Sequence, residues 1–355
     1  MKKKWLYSMV AVVMGAMLLT GCGGADRSAR TEDENRIVIA DTQGPTSLDP
    51  AQSWDSWYTS RWGITETLYK LDENLKPYPF LAKSCEMEDD TTWVITLRDD
   101  VTFQNGEKMT AESVKKCWER TAGINARFQE VLYIDSMEAD GQILTVKTSK
   151  PVPAFLNSLC EPLTGIIDVD DGQDPAKQPV GTGPFRAVSY EVNSKCVVEK
   201  YEDYWGGEPK ADGAVINIIG DTSTLSMAQQ NGETDISVSM PGTSLELFED
   251  TSRYNADGVA GSRGEIIYFN YDNPILSQLP VRQALSMIID KENYAAVINQ
   301  GASVSARGIY PDFMDFGASK GEGYAYDPQK AAELLDNAGI TDTDGNGIRE
   351  YQGKD

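Results

Sequence analysis

Histidine is absent from all 355 residues. Without imidazole no Ser-His-Asp or Cys-His catalytic set can be built, zinc sites of the usual histidine type are excluded, and so is an imidazole pH switch. Positive charge is scarce as well: 32 lysines and arginines stand against 55 aspartates and glutamates, for a net charge of −23. A body this acidic is repelled by nucleic acid phosphates and by anionic lipid headgroups, so no nucleic-acid partner is expected. Only five cysteines occur, at spacings that fit no metal or redox motif. The one long apolar run, residues 5–20, is short for a spanning helix. What remains is a globular composition, 40% hydrophobic and 25% charged, in a chain long enough for two or three domains. Carboxylate pairs survive these exclusions and leave a hydrolase open, although no pair has a spacing that recommends it.

The first residues read as an export signal. Lys2, Lys3 and Lys4 precede the apolar run, which ends Leu19-Thr20-Gly21-Cys22. This resembles a bacterial lipobox: residues 1–21 form a lipoprotein signal peptide, and the Cys22 thiol takes a diacylglyceryl group. The plainer alternative is a secretory signal or anchor helix with an incidental cysteine. Two acyl chains suffice for stable anchoring. Residues 22–35 (CGGADRSARTEDEN) are polar and without periodicity, as expected of a flexible tether. Cys85, Cys117, Cys160 and Cys196 each lie among apolar residues, and read first as buried free thiols. A disulfide is the alternative, since an exported protein can form one.

Periodicity and turn residues then divide the chain. Residues 37–41 form a short strand and 46–51 a turn. Residues 53–62 (SWDSWYTSRW) hold three tryptophans and a tyrosine among polar groups, which suits a ligand wall as well as plain packing. Residues 64–71 read as a helix and 92–98 as a strand. Phe103-Gln104-Asn105-Gly106 is a tight turn, and Thr110 caps a helix over 111–121. That helix carries Val114, Cys117, Trp118 and Thr121 on one stripe. Residues 133–139 and 142–148 form a hairpin. The stretch 179–235 begins PVGTGPFRAVSY and holds a strand pair (185–190 and 195–200), an aromatic turn at Tyr204-Trp205, a strand (214–219) and a helix (222–231). Gly181 and Gly183 are expected to adopt backbone angles closed to other residues. No Gly-x-Gly-x-x-Gly or P-loop pattern follows, so no nucleotide or other cofactor is expected. Later, 265–271 reads as a strand, 244–250, 281–289, 291–300 and 329–338 as helices. Residues 342–350 (DTDGNGIRE) space carboxylates like a calcium loop, but the twelfth position is Gly353 where a glutamate is wanted.

The words GTGPF, DYWGG and NGETDI, together with the strand–turn–helix of 93–120, resemble the peptide/nickel-type (family 5) extracellular solute-binding proteins of ABC transporters. The resemblance implies an α/β fold, periplasmic-binding-protein-like, with two lobes closing as a Venus flytrap. Residues 36–53 and 179–262 would form the first lobe and 54–178 a small α/β domain inserted in it. Residues 263–355 would start a second lobe whose remainder lies beyond Asp355. Where the family usually places a histidine, this chain has Gln104, so that position is expected to be structural.

The implied role is capture of a solute outside the cytoplasm and delivery to an ABC permease and ATPase, with the membrane reached through the lipid on Cys22, on the outer face of the cytoplasmic membrane. Peptides are the leading ligand, bound by main-chain hydrogen bonds and accommodating pockets. A nickel chelate or an oligosaccharide is the alternative. The ligand-binding candidates are Trp54, Trp57 and Tyr58 from the aromatic segment, Ser239 and Met240 after a strand at 236–238, and Tyr268 and Asn270 further on. No catalytic residue is expected. A surface sensor lipoprotein on the same fold is the other class left open.

Overall fold

The structure is a computed structural model that describes residues 36–258, 261–311, 314 and 323–354. The signal peptide, Cys22 and the tether expected over 22–35 lie outside the described residues. The chain divides into two compact units, one ending at Ser239 and the other beginning at Met240.

The first unit holds eleven described strands. β1 (Arg36–Asp41) comes first; β2 (Tyr69–Leu71) and β3 (Pro77–Pro79) pair as a ribbon. β4 (Ala82–Asp89), β5 (Thr92–Leu97), β6 (Ile134–Asp140) and β7 (Ile143–Thr148) make an antiparallel sheet in the order β4-β5-β7-β6. β8 (Phe185–Glu191), β9 (Lys195–Lys200), β10 (Gly213–Ile218) and β11 (Ile236–Ser237) join β1 in a mixed sheet of order β11-β1-β10-β9-β8. There β1 runs parallel to both β10 and β11, while β8, β9 and β10 alternate.

The helices of this unit are α1 (Ser56–Arg61), α2 (Ala111–Ile124), α3 (Arg127–Leu132), α4 (Phe155–Ser158) and α5 (Thr222–Gln230). Thr110 caps α2 as its sequence requires, accepting from Ser113 N while the Ser113 hydroxyl accepts from Thr110 N. The stripe Val114, Cys117, Trp118 and Thr121 is buried. It packs on the inward residues of β5 and β7, namely Trp93, Ile95, Leu97, Leu144 and Val146, with Phe128 and Leu132 of α3. Trp118 is fully buried, donates from Nε1 to Thr164 O at 3.0 Å, and is worth ~3–5 kcal/mol against truncation to alanine. A second core, under the mixed sheet, gathers Leu48, Trp62, Ile64, Cys196, Val198 and Ile216. All four cysteines after Cys22 are free thiols.

Several expectations are corrected. Residues 64–71 are not helical. Their carbonyls are claimed from elsewhere: Ile64 O by Gly183 N, Glu66 O by Ile166 N, Leu68 O by Phe80 N and Ala82 N. That leaves none of these three for an i→i+4 ladder, and 69–71 becomes β2. β4 had no periodicity that marked it as a strand. Gly181 and Gly183 have ordinary negative-side backbone angles and are needed for another reason. A Cβ on Gly181 would lie 1.9 Å from Ile64 O, and one on Gly183 2.2 Å from Gly63 O. They allow two backbones to touch where the chain crosses itself.

The second unit, as described, is built on α6 (Leu279–Met287) and α7 (Pro328–Asn337), which pack through Ala284, Met287 and Ala331. Asp327 caps α7 by accepting from Lys330 N. The helix expected over 244–250 is a 3-10 helix, Gly242–Phe248. That expected over 291–300 is a short α turn, Lys291–Asn293, continued by a π turn, Tyr294–Ile298. Residues 265–271 are not a strand. No segment among the described residues runs beside them to complete a ladder, and Asn270 instead opens a turn, accepting Asn273 N on its carbonyl and Asp272 N on its side chain.

Candidate functional site

The aromatic segment sits on a loop braced from several sides. Asp49 is buried and receives both arms of the Arg120 guanidinium, at 3.0 and 2.6 Å. The Asn125 amide donates to Ala51 O and Ser53 O. Asp55 accepts from Thr46 N and its hydroxyl at the far end. Between these ties Ser53 takes a left-handed φ of 43°, a strained value for a residue with a side chain. The loop is therefore held in one shape before any ligand arrives, which lowers the ordering cost of binding.

On this brace the four rings separate into two pairs. Trp54 and Trp57 project outward, 57% and 43% exposed. Tyr58 is half-buried and leans on Trp62, which belongs to the core, at 5.8 Å between centroids. Trp54 is backed on one face by the Arg127 guanidinium at 4.1 Å, and Arg127 donates from Nη2 to Glu161 Oε1 at 2.5 Å. Arg127 Nη1 is buried and has no hydrogen-bond partner among the described residues, as is Ser56 Oγ at the start of α1. Sequence reasoning passed over Arg127 and Glu161. Only an arginine one residue before Phe128 could have hinted at it.

The other candidates sit differently. Ser239 is exposed, with φ 61°, directly after β11. Met240 is half-buried in the second unit, while Tyr268, 86% exposed, and Asn270 lie on its unpaired stretch.

Three further polar centres lie outside this loop. Gln104 is buried at the crossing: Nε2 donates to Ile64 O, Gly183 O and Phe185 O, at 3.2, 3.1 and 2.7 Å, and Oε1 accepts from Gly181 N at 3.1 Å. It is structural, as expected. Glu66 is buried and accepts from Tyr204 Oη at 2.6 Å and from Trp205 Nε1 and Thr182 Oγ1, each at 3.0 Å. Burial raises its carboxyl above the ordinary range despite these donors and nearby Lys70. The DYWGG rings thus serve a packed corner, with Trp205 between Phe80 and the Arg98 guanidinium. In the tail, carboxylates of Asp342, Asp344 and Glu350 come within 4.8 Å of one another. Loop amides already use them: Asp342 accepts Gly345 N and Gly347 N, Glu350 accepts Thr343 N.

A mixed sheet whose parallel strands β11, β1 and β10 lie to one side, with a braced aromatic loop following β1, is the frame against which relatives were compared. Residues 76–354 match the family described as bacterial extracellular solute-binding proteins, family 5 (middle). The chain belongs to that family, a family of binding proteins that work outside the cytoplasm. It is 30% identical over 311 residues to the nickel-binding protein NikA of Staphylococcus aureus, covering 87% of this chain and 62% of NikA. It is 29% identical over 313 residues to the glutathione-binding protein GsiB of Pectobacterium atrosepticum, covering 85% and 61%. The crystal structure of S. aureus NikA in complex with Ni(L-His)2 superimposes with a TM-score of 0.77 at 28% identity, over 86% of this chain and 65% of that one. The fold class is thus the periplasmic-binding-protein type that the sequence implied. The chain spans about three fifths of the length of these curated relatives. Among the described residues no helix is long and apolar enough to cross a membrane.

Proposed function

We propose that this protein captures short peptides outside the cytoplasm and delivers them to an ABC permease and its ATPase. The observation that carries the ligand side is the braced loop 49–62, with Trp54 and Trp57 exposed and Arg127 Nη1 unpartnered behind them. Rigid exposed rings on a preformed loop suit a solute that is part apolar. In this reading Trp54, Trp57, Tyr58, Ser239, Met240, Tyr268 and Asn270 contact the ligand. Residues 36–53 and 179–262 form the first lobe, 54–178 the inserted domain and 263–355 the start of the second lobe. Cys22 carries the lipid that holds the protein to the outer face of the cytoplasmic membrane.

A nickel complex of an amino acid is the second reading, favoured by the similarity to NikA. In this reading the metal arrives already chelated by a small molecule. Native mass spectrometry of the protein, incubated separately with a tryptic casein digest and with Ni(II) plus L-histidine, tests both. Retained peptides support the first reading. Retention of the nickel–histidine complex alone replaces it with the second, and retention of neither refutes the function.

A further inference from the structure

One face of the sheet β4-β5-β7-β6 is covered by α2 and α3, which pack on Trp93, Ile95, Leu97, Leu144 and Val146. Alternation turns the intervening residues the other way. The register arranges them in rows across that outer face. Glu86, Val94, Thr145 and Glu138 form one row, and Ser84, Thr96, Ile143 and Asp140 the next. Asp89, Thr92, Lys147 and Ser136 form a third. None of these residues is buried. The two central strands thus present a strip of β-branched side chains, Thr92, Val94, Thr96, Thr145 and Ile143, with Lys147 at one end. The two outer strands carry carboxylates, Glu86 and Asp89 on β4, Glu138 and Asp140 on β6.

Asp89 is tied into its own turn, accepting from Thr91 N and Thr92 N. Glu86, Glu138 and Asp140 have no ion-pair partner among the described residues, whereas Lys83, Arg98, Lys116 and Arg127 nearby in the chain are each paired with another carboxylate. The carboxylates of β4 and β6 stand three strand spacings apart, about 14 Å. An α-helix with its side chains is about 10–12 Å across. A helix laid along the strip therefore fills it. Long basic side chains on its flanks reach the carboxylates while their stems cover the β-branched surface. A helix packed on a sheet is one of the standard ways for a sheet to bury a face.

We propose that this face docks an amphipathic α-helix of a partner protein, with small and apolar residues against the strip and lysines or arginines along both flanks. Charge complementarity selects this occupant. A second copy of the chain, face to face, brings the same carboxylates, and nucleic acid or an anionic membrane is repelled by them. The surface is separate from the loop 49–62, so the inference goes beyond the solute-binding function and stands or falls without it.

The test uses the full chain in roughly 0.15 M salt, which screens attraction beyond about 8 Å. The probe is a fluorescein-labelled helical peptide of alanine, leucine and lysine whose apolar stripe is bounded by lysines on both sides. It is titrated by anisotropy beside a scramble of the same composition. The striped peptide should bind about tenfold more tightly than the scramble or better. Glu86→Gln combined with Glu138→Gln should weaken it about tenfold, the loss of a charge contact on each flank. Glu73→Gln combined with Glu119→Gln removes the same charge from sites off this face and should leave binding unchanged. Thr145→Arg, which sets a cation in the middle of the strip, should abolish it. All four glutamates are exposed, so their variants fold. Equal binding of stripe and scramble, equal loss in the two glutamate pairs, or no binding at all overturns the inference. So does a wild-type dimer in light scattering that Thr145→Arg splits, because the face then belongs to a second copy.

Discussion

Replacement of Gln104 by alanine removes one side chain and unsettles three segments at once. The Gly181 N–H loses its acceptor, and the carbonyls of Gly183 and Phe185 lose this donor; Ile64 O keeps the Gly183 N–H at 3.1 Å. A buried polar group left without a partner costs ~1–3 kcal/mol. Three groups are affected, and water entering the vacated space recovers part of the loss, so Gln104→Ala should destabilise the first unit by about 4 kcal/mol. Gln104→Glu should be at least as damaging at neutral pH, because it sets a carboxylate against three carbonyl oxygens. Gln104→His restores one donor and should fall between wild type and alanine. Urea unfolding followed by tryptophan fluorescence is the assay. Every tryptophan of the chain precedes Ser239, so this signal reports the first unit without the second. A Gln104→Ala transition within 1 kcal/mol of wild type, with an unchanged slope, would refute the argument that this amide holds the crossing, since slope and midpoint separate stability from compactness.

Other outcomes follow from the same geometry. Gly183→Ala, which drives a methyl into Gly63 O, should either prevent folding or lower the fluorescence midpoint as far as Gln104→Ala; Gly141→Ala, at a hairpin tip with open space around it, should cost only the strain of its positive φ. Because burial raises the Glu66 carboxyl above its unfolded value, this group favours folding at acid pH, and that contribution is lost as pH rises through its folded pKa. The melting temperature of wild type relative to Glu66→Gln should therefore fall between pH 4 and pH 8; a constant difference would show that burial does not govern this group. The Cys85 and Cys196 thiols are pushed up to about 12 by burial, and Cys117 and Cys160 to about 11. Cys117 and Cys196 are buried whereas Cys85 and Cys160 are only partly so; in a Cys22→Ser background a thiol-specific disulfide reagent at pH 8 should leave Cys117 and Cys196 unmodified in the native protein and react with them promptly in denaturant, and rapid native reaction at those two would contradict their placement.

Local chemistry made much of the fold legible. The α2 cap and stripe, the hairpin turning at Asp140-Gly141, the alternating strands of 185–200 and the capped helix after Asp221 each carry their instructions within a few residues. The absence of histidine and the family-like wording restricted the function in the same way. What failed locally failed for one reason: partners distant in sequence decided it. The helical-looking 64–71 is irregular up to Leu68 and a short strand only over 69–71, because Gly183, Ile166 and Phe80 claim its carbonyls. The GTG glycines read as a tight crossing of the chain, and the fold supplies the backbones that meet there, Gly63 and Ile64. Tryptophans 54, 57 and 62 are alike in sequence. Packing against Ile64 and Leu48 buries the third, and the brace from Asp49, Asn125 and Arg127 leaves the first two in solvent. Short-range pattern thus determined most of the elements, and the class of protein was legible only through words that resemble a known family. Which rings face a ligand, and which charges stand short of a partner, depends on contacts that exist only once segments far apart in the chain have met.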